Sequence, residues 1–214
     1  GIDFPFGQPR KLIENLGWPK KWESYVAHAG RMTRQEFRET LDGYRANRPP
    51  GDKEHRRATD IAAGALSSMK LYGTPVGLMF FEGSPRLLRA GVTIPGLIED
   101  DPHRIVVEAY PGVLARRFIG RRGYKQDTKA KQTFEQRRAR QDLLTSLRCN
   151  TLHDTHGFSV EAPESLIDDP GADEIDALLC AIQAACAWIR REDLYGMPPT
   201  ADPLEGWIAQ PGLT

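Results

Sequence analysis

Apolar residues recur at intervals of three and four along most of the chain, the spacing of one face of an α-helix. Thr33 precedes one such segment and suits an N-cap, because its hydroxyl can accept a hydrogen bond from a free backbone N–H of the first turn. The polar, proline-rich stretch "NRPPGDKEH" predicts an exposed loop. The spacing predicts helices over residues 9–16, 20–29, 34–46, 57–72, 74–91 with an interruption at "EGSP", 112–120, 132–147 and 173–191.

Strand patterns are few. The stretch "RIVVEAYP", residues 104–111, is β-branched and apolar and ends at a proline, so it predicts a strand. "GIDFPFG" at 1–7 predicts a short extended segment, and "DPLEGWIAQPG" at 202–212 predicts a last edge strand. A few strands among many helices indicate an α/β or α+β layered domain. With 214 residues the chain can form one large domain or two small ones.

The most apolar predicted helix begins with acidic residues. Thirteen of the fifteen residues from 175 to 189 are apolar, which predicts a helix buried on all sides. Asp173 fits an N-cap, and an acid in the first turn stabilises the helix dipole by roughly 0.3–1 kcal/mol. Asp176 needs another explanation, since an ionised carboxylate entering a buried element requires a partner. A divalent cation would be such a partner, so capping and cation binding both stay open.

Two further acids stand in apolar extended segments. Asp3 is either a satisfied carboxylate at a strand end or one presented at the C-terminal end of a strand, where open α/β sheets place their sites. Glu108 lies inside "RIVVEAYPG", where alternation along a strand allows it to face solvent or to join a site.

The net charge is zero, but the charges are unevenly distributed. Residues 104–148 carry twelve Lys or Arg and four acids, whereas residues 149–214 carry two and twelve. This pattern suggests an anionic substrate beside a metal site, or two solvated faces of opposite charge. Few aromatic residues stand among the basic ones, so stacking of single-stranded bases is not expected. The candidates for phosphate contact are Arg116, Arg117, Arg121, Arg122, Lys125 and Lys131.

Cysteine usage and hydropathy bear on the compartment. Three cysteines without a CxxC motif argue against a disulfide framework and a zinc site, and they indicate a cytoplasmic protein. The chain has no recognisable signal peptide. The longest apolar run, residues 177–189, would be about 20 Å long as a helix. It is too short to cross a bilayer, so no membrane association is expected.

Five segments, in this order, resemble one family. They are "GIDFPFGQP", "VVEAYPGVLARRFIG", "YKQDTKAKQTFEQRRARQDLL", "DEIDALLCAIQAACAW" and "EGWI". They are similar to the domain-of-unknown-function family 429, whose members are predicted nucleases with the ribonuclease H-like fold. The "DEIDAL" helix start and the "EAYP" strand also resemble elements of Holliday-junction resolvases, in which acids from such a helix bind catalytic metal. The resemblance extends over most of the chain.

The resemblance implies an α/β fold, with one ribonuclease H-like layered domain over residues 1–214 and a large helical insertion at about 9–100. That fold normally begins with a β-hairpin whose first strand carries an essential Asp. The sequence begins after this hairpin, so we expect an N-terminally truncated domain.

The resemblance also implies that Asp3, Asp173 and Asp176 bind Mg²⁺ or Mn²⁺, and Glu108 is a further candidate catalytic acid. Two metals in such a site clamp a phosphodiester, activating water on one side and stabilising the leaving oxygen on the other. The expected function is Mg²⁺-dependent hydrolysis of nucleic acid, with DNA or RNA as substrate and a homodimer left open.

Whether the chain is an enzyme depends on whether the parent protein contains the Asp of the first strand. If that Asp is missing, the alternative is a non-catalytic module that binds nucleic acid or protein on the same scaffold. A phosphotransferase is a third class, because sugar kinases share a related core. It is disfavoured because the sequence has no glycine-rich phosphate loop.

Overall fold

The structure is a computed structural model that describes residues 1–149, 151–210 and 212. It is a mixed α/β fold in which helices predominate. The first half contains α1 (Arg10–Asn15), α2 (Trp22–Ala29), α3 (Arg34–Ala46), α4 (Ala58–Ala63), α5 (Val76–Ala90), β1 (Val92–Thr93) and β2 (Asp101–Ile105). The second half contains α6 (Pro111–Ile119), α7 (Phe134–Arg148), α8 (Thr151–His156) and α9 (Asp173–Ile189), with 3-10 helices at Lys129–Lys131, Glu164–Asp168 and Arg191–Gly196.

Two helices begin at capping residues that can be identified in the sequence. α3 follows Thr33, whose hydroxyl accepts from the Glu36 N–H at 3.2 Å while the Glu36 carboxylate accepts from the Thr33 N–H at 2.6 Å. α7 follows Thr133, which makes the same reciprocal pair with Gln136 at 3.3 and 2.9 Å. Each pair satisfies two backbone donors that lack partners within the helix. The prediction of a helix over 34–46 with Thr33 as its cap is confirmed.

The helix predicted over 57–72 is much shorter than its spacing suggests. α4 ends at Ala63, because Gly64 takes a left-handed backbone with φ of 62°. That conformation ends helices and favours glycine, which has no Cβ to clash. The prediction for the remainder of this range is therefore wrong.

The interruption predicted at "EGSP" is also wrong, since α5 continues through Pro85. A proline inside a helix removes one backbone hydrogen bond and crowds the preceding turn. Here Phe80, Ser84, Pro85 and Leu87 are all buried. Packing of this face in the core outweighs the local cost, as tertiary contacts often do.

β1 and β2 pair in parallel, with an irregular register. Val92 lies opposite Asp101, and Thr93 lies opposite Ile105. The strand predicted at 104–111 therefore starts earlier and ends sooner than expected. Beyond it the chain stays extended until α6 begins.

Three distant segments meet at Glu108. This residue forms single parallel bridges with Ile2 on one side and Ile208 on the other. The Ala109 N–H donates to the Ile2 carbonyl at 2.9 Å, and the Ala209 N–H donates to the Glu108 carbonyl at 2.8 Å. The terminal segments thus flank the middle segment at Ile2 and Ile208. Most of the edge strand predicted at 202–212 is not formed, since residues 203–205 are a turn, and residue 211 lies outside the described residues.

Two hydrophobic clusters form the core. Helices α1, α2, α3 and α5 supply most of the first, around the fully buried Trp22, Phe37 and Phe80. Helices α6–α9 supply most of the second, which includes Leu114 and Leu143. The division of the chain into domains stays a prediction.

α9 is buried along one face only. Leu179 and Ile182 are buried, whereas Trp188 and Ile189 are 53% and 44% exposed. The prediction of a helix buried on all sides is therefore wrong along its exposed face, which also carries Ala177 and Ala181. Leu178 is half-buried, so truncating a leucine of this helix should be most costly at Leu179. Over the described residues, no helix combines the length and apolar character needed to cross a membrane.

Candidate functional site

A cavity of about 710 Å³ opens beside the contact of the three segments at Glu108. Five parts of the chain line it: the N-terminal segment, the region from α4 to the start of α5, the start of α6 with the residues just before it, the loop 120–125, and Ile208 of the C-terminal segment. Six of the residues singled out in the sequence face it: Asp3, Glu108, Arg116, Arg121, Arg122 and Lys125.

Arg57 forms the buried polar centre of this region and is 1% exposed. Its Nη2 donates to Asp60 Oδ1 at 2.7 Å and to Glu108 Oε1 at 2.5 Å, and its Nη1 donates to Glu108 Oε2 at 2.8 Å. The Phe6 N–H also donates to Glu108 Oε2, at 2.8 Å. Only such multiple hydrogen-bonded pairing offsets the desolvation of buried charges. Glu108 does not face solvent and has a structural task here, while its catalytic role stays a prediction.

Glu205 joins the starts of two helices. Its carboxylate accepts from the Arg10 N–H of α1 and from the Ala58 N–H of α4, both at 2.8 Å. The first N–H groups of a helix have no partner within it, so one buried carboxylate satisfies donors of both helices. The Glu205 carbonyl accepts from Arg57 at 2.9 Å, which links this cap to the buried centre.

Asp3 presents its carboxylate to the cavity and receives no hydrogen bond from the described residues. Water reaches the side chain, yet the surrounding protein removes much of its hydration. This loss, followed by the negative charge of Asp176, raises the pKa of Asp3 to about 6, while the positive charge of Lys125 opposes the shift. Asp3 and Asp176 are therefore close enough to repel each other.

A raised pKa makes the stability contributed by Asp3 dependent on pH. The Asp3 carboxyl holds its proton more tightly in the folded state than in the unfolded chain. Its protonation therefore stabilises the fold fully below about pH 4, and this stabilisation is lost as the pH rises through about 6. Asp3→Asn should therefore match the wild type near pH 4 and be more stable by about 1 kcal/mol at pH 8, a figure reduced for solvent screening. Urea unfolding at both pH values measures this difference. A carboxyl resonance of Asp3 titrating near pH 4 in NMR would contradict it.

Asp176 has two strong donors. The Tyr124 hydroxyl donates to its Oδ1 and the Lys125 ammonium to its Oδ2, both at 2.6 Å. Burial lowers the pKa of Lys125, but the hydrogen bond to Asp176 and the negative charge of Asp176 outweigh this effect and hold the pKa above its ordinary value. The buried Arg140 fixes this arrangement by donating to the Tyr124 carbonyl at 2.8 Å. These donors are the partners that an acid in an apolar helix requires.

The interpretation of Asp173 as the N-cap of α9 is wrong. Ala172 stands at the N-cap with a left-handed φ of 59°, and Asp173 is the first helical residue. Asp169 supplies the capping carboxylate, which accepts from the N–H groups of Gly171 and Asp173, each at 2.9 Å. The carboxylate of Asp173 is exposed and is not among the charges that raise the pKa of Asp3.

The basic candidates divide into two groups. Arg116 faces the cavity, donates to the Ala63 carbonyl at the end of α4, and lies 5.3 Å from the centre of the Tyr110 ring. Arg117 follows it on the same helix and does not line the cavity, because consecutive helical side chains point in different directions. Lys131, on an exposed 3-10 helix, also lies outside the cavity lining.

The loop 120–125 brings three cations to the cavity: Arg121, Arg122 and Lys125. Arg122 is paired with Asp142 at 2.6 Å, whereas Arg121 has no ion pair with the described residues. Arg121 is exposed and so is available to an anion.

Carboxylates that could hold a cation are limited in number. In the part of the chain that the structure describes, no group of three or more His, Cys, Asp or Glu side chains is placed to hold a metal ion. Of the three acids that the sequence suggested as metal ligands, only Asp176 acts on the pKa of Asp3, whereas Asp173 does not.

Three site residues escaped the sequence analysis. Arg57 stands three residues before Asp60, a spacing that also occurs in exposed helical ion pairs, although an acid embedded in an apolar strand such as Glu108 already signals a buried cation. Glu205 was noticed only as part of "EGWI". Gln183, the second polar residue within the apolar helix, joins two of the three segments: it accepts from the Tyr110 N–H at 3.1 Å and donates to the Ala209 carbonyl at 2.6 Å.

Comparison with known proteins gives one assignment. No curated protein and no solved structure matches the chain significantly. The model of the family "Protein of unknown function (DUF429)" matches residues 1–202. This match covers nearly all of the 214 residues, and the chain therefore belongs to the DUF429 family.

Proposed function

We propose that the chain is a Mg²⁺-dependent, nuclease-like protein that hydrolyses phosphodiester bonds of nucleic acid. One observation carries this proposal: the carboxylate of Asp3 lines the same cavity as the cations of the loop 120–125. Asp176 does not line that cavity, but it is paired with Lys125 and its charge acts on Asp3. Carboxylates suit a divalent cation, and the neighbouring cations suit the phosphate that would share it.

Asp3 and Asp176 would hold the cation. Mg²⁺ in such sites is commonly bound by one or two carboxylates, with water and substrate phosphate completing its coordination, and this donor set fits the pair. The carboxylate of Asp3, which has no hydrogen bond from the described residues, is the donor most available for it. When bound, Mg²⁺ supplies Lewis-acid stabilisation of the charge on the phosphoryl oxygens.

The chain's own residues would position this chemistry. The Tyr124 hydroxyl holds the carboxylate of Asp176 by a hydrogen bond, and Arg140 holds the backbone carbonyl of Tyr124. Arg121 and Lys125 would bind phosphate oxygens at the cavity, which orients the substrate without reading its sequence. The buried pair of Arg57 and Glu108 keeps the segment that carries Asp3 in place, through the hydrogen bond from Phe6.

A ribonuclease H-like layered arrangement is part of the proposal. The parallel contacts of Ile2 and Ile208 on either side of Glu108 support it, because they place the "GIDFPFG" segment beside the "EAYP" segment. α9 contacts two of these segments through Gln183, which hydrogen-bonds to the Tyr110 N–H and the Ala209 carbonyl.

The alternative of a non-catalytic binding module is favoured by one observation. The carboxylate of Asp176 is already paired with Lys125 and Tyr124, and the described residues provide no third acid for a metal. Incubation with labelled single-stranded and duplex DNA and RNA separates the two functions. Cleavage that needs Mg²⁺ and stops in EDTA supports the nuclease, whereas binding without cleavage supports the module.

Phosphate contact by the loop 120–125 should appear in the salt dependence of binding. Each phosphate contact contributes about 0.9 to the slope of log K against log salt. Arg121→Ala should therefore weaken binding and flatten the slope by about one unit. Lys131→Ala, which changes a cation outside the cavity, is the matched control and should leave the slope unchanged. Equal slopes for wild type and Arg121→Ala, measured by fluorescence anisotropy, would remove this loop from the interface.

A further inference from the structure

The cavity has an apolar wall that phosphate binding does not explain. Phe4 and Pro5 of the N-terminal segment, Leu66 after α4, and Val76 and Met79 of α5 all line it. Leu66 is 46% exposed, and with these neighbours it forms an apolar patch on the cavity wall. A cavity that is apolar on one side and cationic on the other suits a ligand with an apolar body and a phosphate.

Phe4 is held rigidly in this wall. Its ring lies against Gly83 of α5 so closely that a Cβ at that glycine would come within 2.4 Å of the ring. The ring also packs on Phe6, with centroids 5.2 Å apart. The wall is therefore preformed by the fold.

Tyr110 and Arg116 line the same cavity and together form a platform. The Arg116 guanidinium lies 5.3 Å from the centre of the half-buried Tyr110 ring and is anchored to the Ala63 carbonyl. Gly112 makes room for this pair, because a Cβ there would lie 2.8 Å from the Tyr110 ring and 3.1 Å from Arg116. Aromatic rings and arginine planes are the surfaces on which nucleobases stack.

We infer that the cavity takes one unpaired nucleotide, with its base against the platform of Tyr110 and Arg116 and the apolar wall, and its phosphate at Arg121 and Lys125. This inference rests on the proposed function and specifies the substrate class as single-stranded or locally unpaired nucleic acid. It differs from the prediction that single-stranded bases do not stack here, which was based on the few aromatic residues among the basic ones. Tyr110 escaped notice because it precedes the basic stretch by six residues and belongs to the "EAYP" segment.

The volume of the cavity supports an unpaired base. About 710 Å³ lies within the range of pockets that enclose a small molecule. A duplex whose major groove alone is about 12 Å wide cannot enter such a space. A paired base would have to leave the stack first, and the cost of unpairing is smallest at a mismatch or in a single strand.

Binding of matched single-stranded and duplex oligonucleotides, without divalent cation and by fluorescence anisotropy, tests the inference. We expect the single strand to bind at least about tenfold more tightly. Tyr110→Leu should weaken single-strand binding by about fivefold or more, because base stacking on an aromatic ring is lost. Tyr110→Phe keeps the ring and should bind like the wild type. Neither variant should change the salt slope.

A measurement on the wild-type protein avoids any effect of the variants on folding. A duplex with 2-aminopurine at one mismatched position should become protected from acrylamide quenching when the protein is added. Equal affinity for single strand and duplex, with the probe still accessible, would overturn the inference and leave the proposed function standing. Absence of salt-dependent binding to either form, both without and with Mg²⁺, would overturn the proposed function, and this inference with it.

Discussion

Replacing Asp3 with asparagine is expected to lower the rate of Mg²⁺-dependent phosphodiester cleavage by about a hundredfold or more, since losing a cation's Lewis-acid contribution costs several kcal/mol. Asparagine keeps the shape of the side chain but removes the charge that would hold the cation. Asp3 receives no hydrogen bond from the described residues, so the fold should tolerate the change. Single-turnover cleavage of an end-labelled oligonucleotide at pH 8, where the wild-type carboxyl is ionised, measures the effect.

Three further variants define the site. Glu174→Gln changes an exposed acid in the first turn of α9 and should retain full activity. Asp176→Asn should lose activity as Asp3→Asn does, and both should reduce the rise in melting temperature caused by Mg²⁺. Asp173→Asn with wild-type activity would limit the cation site to Asp3 and Asp176, and an equal loss would add Asp173 to it. Unchanged cleavage by Asp3→Asn would rule out this cavity as the catalytic site.

Local signals predicted much of the helical structure. Thr33 and Glu36 stand three residues apart and satisfy each other's backbone donors, so the start of α3 depends on neighbours in the sequence. α4 differs because its apolar spacing continues beyond the helix. A glycine with a left-handed backbone, rather than the spacing, determines where it ends.

The site depends on contacts between residues far apart in the sequence. Arg57 and Glu108 are 51 residues apart, and Glu205 and Arg10 are 195 apart. Hydrophobic periodicity reports which face of an element is buried, but not which distant residue will meet it. The sequence identified Glu108 as an acid that needs explanation, and only the fold supplies its cation.

For the candidate acids too, the sequence identified residues that need a partner but not the partners themselves. Asp176 was singled out because capping could not account for it, and the structure gives it two donors and a repulsive neighbour in Asp3. Asp173 was predicted to cap the helix and, from the resemblance, to bind metal; Asp169 supplies the cap, and the metal role stays a prediction. A carboxylate at a helix start can occupy several positions relative to the first turn, and sequence alone does not choose among them.

The largest effect on stability is expected from Arg57→Met. This substitution keeps much of the volume but leaves the carboxylates of Glu108 and Asp60 buried without their cation. Removing one partner of a buried ion pair typically costs about 3–5 kcal/mol, because the remaining charge stays desolvated. Urea unfolding at pH 7 measures the loss. Arg86→Met breaks an exposed pair with Glu82 and should change stability by less than about 1 kcal/mol.

A second substitution identifies the cause. Glu108→Gln in the Arg57→Met background removes one uncompensated charge, so it should restore part of the stability lost by Arg57→Met alone. The loss in Arg57→Met should also shrink as pH falls, since a carboxyl buried without its cation has a raised pKa and is stable when protonated. A loss below about 1 kcal/mol, or one independent of pH, would mean that Arg57 does not hold the three segments together. Asp3 would then owe its place at the cavity to the backbone pairing of Ile2 with the Glu108 segment instead.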